Sequence, residues 1–235
     1  MAHKHLPWIE KYRPDNIDDI ISHKNITITL KNMIKNRALP HLLFHGKSGT
    51  GKTSTIITLA KKVYGDKFKL MVLLLDASDD RGINAVRDQI KGFAEKSHMF
   101  HKGVKLIILD EADAMTWDAQ FALRRTIEKY SDNTRFCLIC NYENKIIKPI
   151  RSRCANFHFS PIGENDIYSL LKKIVKAESI HISQSSLKTV AKIGRGDLRK
   201  SINLLQSLSM NIGKMDKKGC YKIAGLPLPK KIDKL

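Results

Sequence analysis

The chain has 235 residues, 42% hydrophobic and 28% charged, enough to bury a core in one large domain or in two smaller ones. Its 42 Lys and Arg against 23 Asp and Glu leave a net charge of +19, which predicts attraction to a polyanion. Four cysteines make no disulfide framework at this length, no apolar run approaches the ~20 residues that span a bilayer, and the N-terminus has no signal-like segment, so the expectation is a soluble intracellular protein with no membrane association.

Leu6-Pro-Trp-Ile-Glu-Lys-Tyr-Arg-Pro14 is bounded by two prolines and reads as an extended segment lying over a surface. An amphipathic helix follows over residues 25–38, with Ile26, Leu30, Met33 and Ile34 on one face, and Pro40 ends it. The apolar run Leu42-Leu-Phe44 leads directly into Gly46-Lys-Ser-Gly-Thr-Gly-Lys-Thr53, and a helix-compatible run starts at Ser54. Strand, G-x-x-x-x-G-K-T and helix in that order are a P-loop. Gly46, Gly49 and Gly51 allow the backbone of Lys47, Ser48 and Thr50 to turn tightly and aim N–H groups at phosphate oxygens. The N-terminus of the following helix adds its positive end there. In this motif Lys52 meets the β- and γ-phosphates of ATP and the Thr53 hydroxyl meets Mg²⁺, with Ser54 beside it.

Residues 69–76 form a second, fully apolar strand, as expected in a parallel sheet covered on both faces. A loop (77–82) and a helix (83–95) carrying Arg87 and Lys91 come next; His98 and His101 fall in a polar stretch with no plausible metal-ligand set. The third strand runs into Asp110-Glu111. Beside a P-loop such a pair divides two tasks: Asp110 holds Mg²⁺ and Glu111 polarises the attacking water. Asp113 reads as part of the local turn. Thr116 is the expected N-cap of a helix over 117–130 that buries Phe121, Leu123 and Ile127. Arg124 and Arg125 fit either a solvated basic face or an intersubunit contact. The fourth strand (135–140) contains Cys137 and Cys140; their C-x-x-C spacing on a strand puts them on opposite faces, which favours core cysteines over zinc ligands. It ends at Asn141, a position suited to orienting water or touching the γ-phosphate, and equally to forming a turn. A short fifth strand covers 155–159. Beyond Pro161 strand signals stop, and residues 166–179, 183–193 and 197–210 read as three amphipathic helices of a second, small domain. Residues 213–235 read as a linker. The expected boundaries are therefore 1–160, 161–212 and 213–235.

An α/β half with a P-loop, an Asp-Glu strand end and a polar residue at a later strand end, followed by a helical lid, is the AAA+ ATPase pattern: a five-stranded parallel sheet plus a small all-α lid. Within it, the chain resembles the small subunits of replication factor C, the sliding-clamp loader. The resemblance rests on Pro7-Trp-Ile-Glu-Lys-Tyr-Arg-Pro14, the P-loop, Ala77-Ser-Asp-Asp-Arg-Gly-Ile83, Asp110-Glu-Ala-Asp113, Ala119-Gln-Phe-Ala-Leu-Arg-Arg-Thr-Ile-Glu128, Cys140-Asn141, Ser152-Arg-Cys154 and Gly196-Asp-Leu-Arg-Lys200. It departs at Leu74-Leu-Asp76, where the family usually has Glu-Leu-Asn.

The resemblance implies an adenine pocket lined by Ile9, Arg13 and Ile21, Asn141 as sensor 1, and Arg199 as sensor 2 acting in cis. It further implies Arg153 as an arginine finger acting in trans, and Arg81 as a switch on Glu111. Arg81, Arg87 and Lys91 would face primer–template DNA, with ordinary exposed basic residues as the alternative, above all for the last two. The implied partners are the other subunits of a hetero-pentameric ring, the sliding clamp and primer–template DNA, in the nucleus or wherever DNA is replicated. A collar domain is expected to follow the lid, and this chain stops near where it would begin.

The leading reading is an Mg-dependent ATP hydrolase of the clamp loader. A subunit that binds ATP, supplies Arg153 to a neighbour and turns over little is the alternative, and another AAA+ DNA-remodelling machine is a second one. A small-molecule kinase fits less well, because it leaves Arg153 and Arg199 without a task.

Overall fold

The computed structural model describes residues 6–36, 38–78, 82–95, 103–210 and 216–228, with backbone alone for 82–87. In chain order the helices are α1 (Trp8–Lys11), α2 (Lys24–Lys35), α3 (Lys52–Tyr64), α4 (Phe68–Met71), α5 (Gly82–Glu95), α6 (Trp117–Tyr130), α7 (Lys148–Arg151), α8 (Glu164–Ala177), α9 (Gln184–Gly194), α10 (Leu198–Met210) and α11 (Lys217–Ile223). The strands are β1 (His41–His45), β2 (Val72–Asp76), β3 (Lys105–Asp110), β4 (Thr134–Cys140) and β5 (Cys154–His158). The chain divides into two units: residues 15–47 with 51–159, and residues up to 14 with 48–50 and 160 onward.

The first unit is a parallel sheet in the order β2-β3-β4-β1-β5. Alternation along each strand feeds two cores. Leu43, Ile107, Leu109, Phe136, Leu138 and Cys140 pack on one face, with Leu123 and Ile127 of α6. Leu42, Phe44, Leu106, Ile108, Cys137 and Ile139 pack on the other, with Ile56 and Leu59 of α3. This is why the three inner strands are continuous apolar runs: both faces are covered, so neither set of alternate positions meets water. Cys137 and Cys140 do lie on opposite faces, both buried and unpaired. Each fully buried Phe or Ile contributes about 1.5–3 kcal/mol relative to exposure.

Several expectations are corrected. β2 begins only at Val72, because residues 68–71 form a helical turn. β2 is also an edge strand, so Leu74 is 51% exposed despite its apolar neighbours. Phe121 is exposed rather than buried, as is Trp117 one turn earlier, since both sit on the outer face of α6. Thr116 caps α6 as expected, accepting from the Ala119 N–H at 3.3 Å. His98 and His101 lie outside the described residues.

The second unit packs α8, α9, α10 and α11 around Ile167, Leu171, Ile174, Val190, Leu205 and Cys220. Ser183 caps α9 and Asp216 caps α11, each accepting a backbone N–H. Two sequence expectations fail here. Residues 8–11 are a helical turn and not extended. The Trp8 N–H donates to Gln206 Oε1 at 3.1 Å, and Glu178 accepts from Lys11 Nζ at 2.5 Å and from the Tyr12 hydroxyl. The expected linker contains α11, whose Cys220 is fully buried.

Candidate nucleotide site

All five strands point the same way, so β1, β3 and β4 deliver their last residues to one edge of the sheet. His45 pairs in register with Cys140, which sets the P-loop beside the start of the turn at Asn141. In open parallel sheets this C-terminal edge is where ligands bind.

The loop's backbone is shaped by glycine. Gly46 has φ +142°, and a Cβ there would come within 2.1 Å of the Phe159 carbonyl oxygen. Gly51 has φ +94° at the N-cap of α3. The tip, Ser48–Thr50, groups with the helical unit, where the Gly49 carbonyl accepts from the Leu198 N–H at 3.0 Å. Lys47 and Ser48 are exposed, Thr50 is buried, and Ser54 is half-buried.

Lys52 opens α3 and is only 7% exposed. An ammonium so far from water needs acceptors. It donates to the Gly46 carbonyl at 2.6 Å, the Lys47 carbonyl at 3.0 Å and Asn141 Oδ1 at 3.1 Å. One residue on, the Thr53 hydroxyl donates to Asp110 Oδ2 at 2.7 Å. The other carboxylate oxygen, Oδ1, accepts from the Glu111 N–H at 2.9 Å. Lys52, Thr53, Asp110 and Asn141, drawn from three separate parts of the sequence, thus meet in two hydrogen-bonded pairs, Lys52 with Asn141 and Thr53 with Asp110. Glu111 stands at the rim, exposed and in a left-handed conformation with φ +52°.

These residues fit a nucleotide and Mg²⁺. Gly46 and Gly51 hold positive φ, the backbone freedom a loop needs to aim successive N–H groups at one phosphate. Thr53 and Asp110 supply two hard oxygens in contact, and Mg²⁺ characteristically takes one or two such protein ligands and fills its octahedron with water and phosphate oxygens. Among the described residues no group of three or more His, Cys, Asp and Glu forms a metal cage.

Other predicted positions are placed as follows. Arg153 is exposed between α7 and β5, where its Nη1 donates to the Pro149 carbonyl at 2.7 Å and its Nη2 meets Glu128 Oε1 at 2.6 Å. Glu128 also accepts from Arg124 Nε at 3.0 Å, and that bond, ahead of Arg153, holds its carboxyl below the usual range. Arg199 is in the first turn of α10, which Asp197 caps by accepting from the Lys200 N–H at 3.0 Å. Ile9 and Arg13 belong to the helical unit, and Arg13 pairs with Glu10 at 3.1 Å. Ile21 is half-buried in the α/β unit. Lys91 is exposed and lines a surface cleft with Arg125 and Lys129. Arg81 and the side chain of Arg87 lie outside the described residues.

Asp113 lies in a turn as expected, but three sets of contacts near the site escaped the sequence reading. Asp113 accepts from the N–H groups of Asn141 and Tyr142 at 3.1 and 3.2 Å. Its spacing after Asp110 was visible, but its partners are main-chain atoms 28 and 29 positions away. Glu128, one helical turn after Arg124, holds Arg153. His45, next to Gly46, stacks on His158 at 5.1 Å and lies 3.6 Å from Glu143; burial lowers its pKa. Burial also pushes the Cys140 and Cys154 thiols up to about 12, so neither is a thiolate at neutral pH.

Comparison with known proteins accords with this geometry. Residues 42–162 match the ATPase family associated with various cellular activities (AAA), and residues 169–210 match the RCF1/5-like AAA+ ATPase lid domain. The probable replication factor C subunit 5 of Dictyostelium discoideum is 51% identical over 232 residues, covering 97% of this chain and 67% of that protein. Replication factor C subunit 5 of Homo sapiens is 50% identical, covering 96% and 66%. The replication factor C small subunit of Methanococcus vannielii is 45% identical, covering 97% and 73%. The chain spans about two thirds of the length of the first two relatives. Among solved structures, the Thermotoga maritima RuvB Holliday junction branch migration motor superposes with a TM-score of 0.69 at 16% identity, over 91% of this chain and 72% of that one, a likeness of fold alone. With a matched AAA domain, a matched lid and relatives at half identity across nearly all its residues, the chain belongs to the replication factor C small subunits of the AAA+ ATPases.

Proposed function

We propose that this chain is an ATPase subunit of a sliding-clamp loader, binding and hydrolysing ATP with Mg²⁺ to load the clamp onto primer–template DNA. The observation that carries it is the convergence of Lys52, Thr53, Asp110 and Asn141 on the P-loop. Lys52 moves from loop carbonyls to the β- and γ-phosphates, a transfer between acceptors that leaves the ammonium paired throughout. Thr53 and Asp110 hold Mg²⁺, which neutralises developing phosphate charge when bound. Glu111 orients the attacking water, and Asn141 holds the γ-phosphate side of the site. Arg153 completes a neighbouring subunit's site in trans, and such fingers are worth ~10³–10⁵ in rate. Arg199 serves as sensor 2. Arg81, Arg87 and Lys91 serve as the contacts to DNA, a role supported by the excess of positive charge. The ring, the clamp, DNA and a nuclear or other replicative location belong to this same reading.

The test is steady-state ATP hydrolysis by the chain alone and with partner subunits, with and without primed DNA and clamp. Stimulation by DNA and clamp that Arg153→Ala abolishes is expected, as is loss of this subunit's share on Glu111→Gln. Fast hydrolysis by the isolated chain, indifferent to DNA, clamp and Arg153, would refute the assignment. An assembly unaffected by Glu111→Gln would make this subunit an ATP-binding scaffold instead.

A further inference from the structure

We infer that Asp113 is the positioning residue for Asn141, setting the direction in which the Asn141 amide faces Lys52. The inference rests on the nucleotide-site reading above and adds a residue to it.

β4 ends at Cys140. Past Cys140 the strand ladder stops, and the N–H groups of Asn141 and Tyr142 have no strand partner to bond. One oxygen of Asp113, Oδ2, accepts both, at 3.1 and 3.2 Å. Two bonds to one acceptor fix the peptide planes on either side of Asn141, and so fix its φ and ψ. With the backbone set, rotation about χ1 and χ2 is all that remains, and Oδ1 lies 3.1 Å from Lys52 Nζ. A carboxylate is the strongest side-chain acceptor available for two N–H groups, and charge assistance roughly doubles each bond.

Asp113 is itself held. It lies in the 3₁₀ turn Ala112–Ala114, closed by bonds from the Ala114 N–H to the Glu111 carbonyl at 2.8 Å and from the Met115 N–H to the Ala112 carbonyl at 3.3 Å. The turn is opened by the left-handed Glu111, which swings the chain from the end of β3 toward the end of β4. Left-handed backbone at a non-glycine residue costs about 1–2 kcal/mol and persists only where its surroundings enforce it. The Asp113 clamp is such an enforcement. One short segment therefore carries the magnesium ligand Asp110, the water-orienting Glu111 and the carboxylate that sets Asn141. Asp113 touches none of the reacting atoms.

The experiment compares Asp113→Ala, Asp113→Asn, Asn141→Ala and the double variant Asp113→Ala/Asn141→Ala in the complex reconstituted with partner subunits, clamp and primed DNA. The readouts are kcat and KM for ATP, the Kd of a fluorescent ATP analogue, and the melting temperature. Asp113→Ala is expected to lower kcat about 10–100-fold, the scale of an ångström-sized misplacement, with KM and Kd within about threefold of the parent. Asp113→Asn keeps an acceptor oxygen and should restore kcat to within a few-fold. The double variant should be no slower than Asn141→Ala, because the two residues act through one group. Additive losses in the double variant would overturn the inference. So would a melting-temperature loss with kcat unchanged, the mark of a merely structural role. An Asn141→Ala variant as active as the parent would overturn both the inference and the role given to Asn141, and is thereby distinguished from a failure of Asp113 alone.

Discussion

Alanine at two P-loop glycines separates what the loop's shape requires from what its surroundings require. At Gly51 the backbone sits at φ +94° with open space around an added Cβ. Gly51→Ala therefore carries only conformational strain of ~1–2 kcal/mol, partly offset by ~0.4–1 kcal/mol from the stiffer unfolded chain. At Gly46 the same strain applies at φ +142°, but the Cβ would lie 2.1 Å from the Phe159 carbonyl oxygen and 3.0 Å from its carbon. Both are backbone atoms, and the Phe159 N–H is bonded to the His45 carbonyl at 2.8 Å, so retreat breaks the junction of β1 and β5. Overpacking of this kind adds about 1–3 kcal/mol and the lost bond ~1 kcal/mol. Gly46→Ala should thus be about 2–4 kcal/mol less stable than Gly51→Ala, roughly 4–16 °C in melting temperature for a chain of this size. The assay is thermal melting by circular dichroism, paired with titration of a fluorescent ATP analogue. Gly46→Ala should also weaken binding, because the Gly46 carbonyl accepts from Lys52 at 2.6 Å. Equal melting temperatures for the two variants would refute the reasoning.

Glu111→Asn is expected to raise stability by about 0.5–1 kcal/mol, since Asn tolerates the left-handed region, while ATP binding persists and hydrolysis is lost; a drop in stability, or retained turnover, would contradict it. The docking of α1 should depend on pH. Glu178 is held below the ordinary carboxylate range by its bond from Lys11 first and from Tyr12 second. A depressed carboxylate contributes stability above its unfolded pKa and loses it as pH falls through the folded value, so residues 8–12 should stay docked at neutral pH and release only as pH falls below the ordinary carboxylate range. Trp8 fluorescence in a Trp117→Phe background reports this, and Glu178→Gln should flatten the profile. A profile in Glu178→Gln that matches the parent's would remove Glu178 as the cause.

The parts of this molecule that were legible in its sequence are those encoded by neighbours in the chain. Leu42-Leu-Phe44 and Leu106 to Leu109 are apolar at every position because the sheet is covered on both faces, and the glycines before Lys52 specify their own loop. Thr116 announces α6 through a bond only three residues long. What the sequence hid depends on partners far away. The turn Trp8–Lys11 has prolines on both sides that suggested an extended path, yet Pro7 sits at its N-cap, where a missing N–H costs nothing, and Glu178 and Gln206 hold the rest. Leu74 looked buried because its neighbours are apolar; only the strand order shows that β2 has one side without a neighbour. α11 is rich in lysine and buries little besides Cys220, so its periodicity was too weak to read, although Asp216 three residues before Gly219 was a cap in plain view.

The same distinction explains how the site is kept ready. A buried ammonium and a carboxylate at a strand end are costly to leave unsatisfied. Lys52 rests on the loop that it serves, and Thr53 rests on Asp110, the residue with which it would share a metal ion. A phosphate would take the place of the loop carbonyls as acceptor for Lys52, and a metal would take the place of the proton between Thr53 and Asp110, so binding exchanges partners and creates few new constraints on the side chains. The exceptions are Asn141 and Arg153, each directed by a carboxylate, Asp113 or Glu128, that has no part in holding phosphate. Those two carboxylates sit at positions the P-loop motif does not specify. Under the proposed function Asn141 and Arg153 act in hydrolysis more than in binding, so binding should survive the loss of either carboxylate better than turnover does.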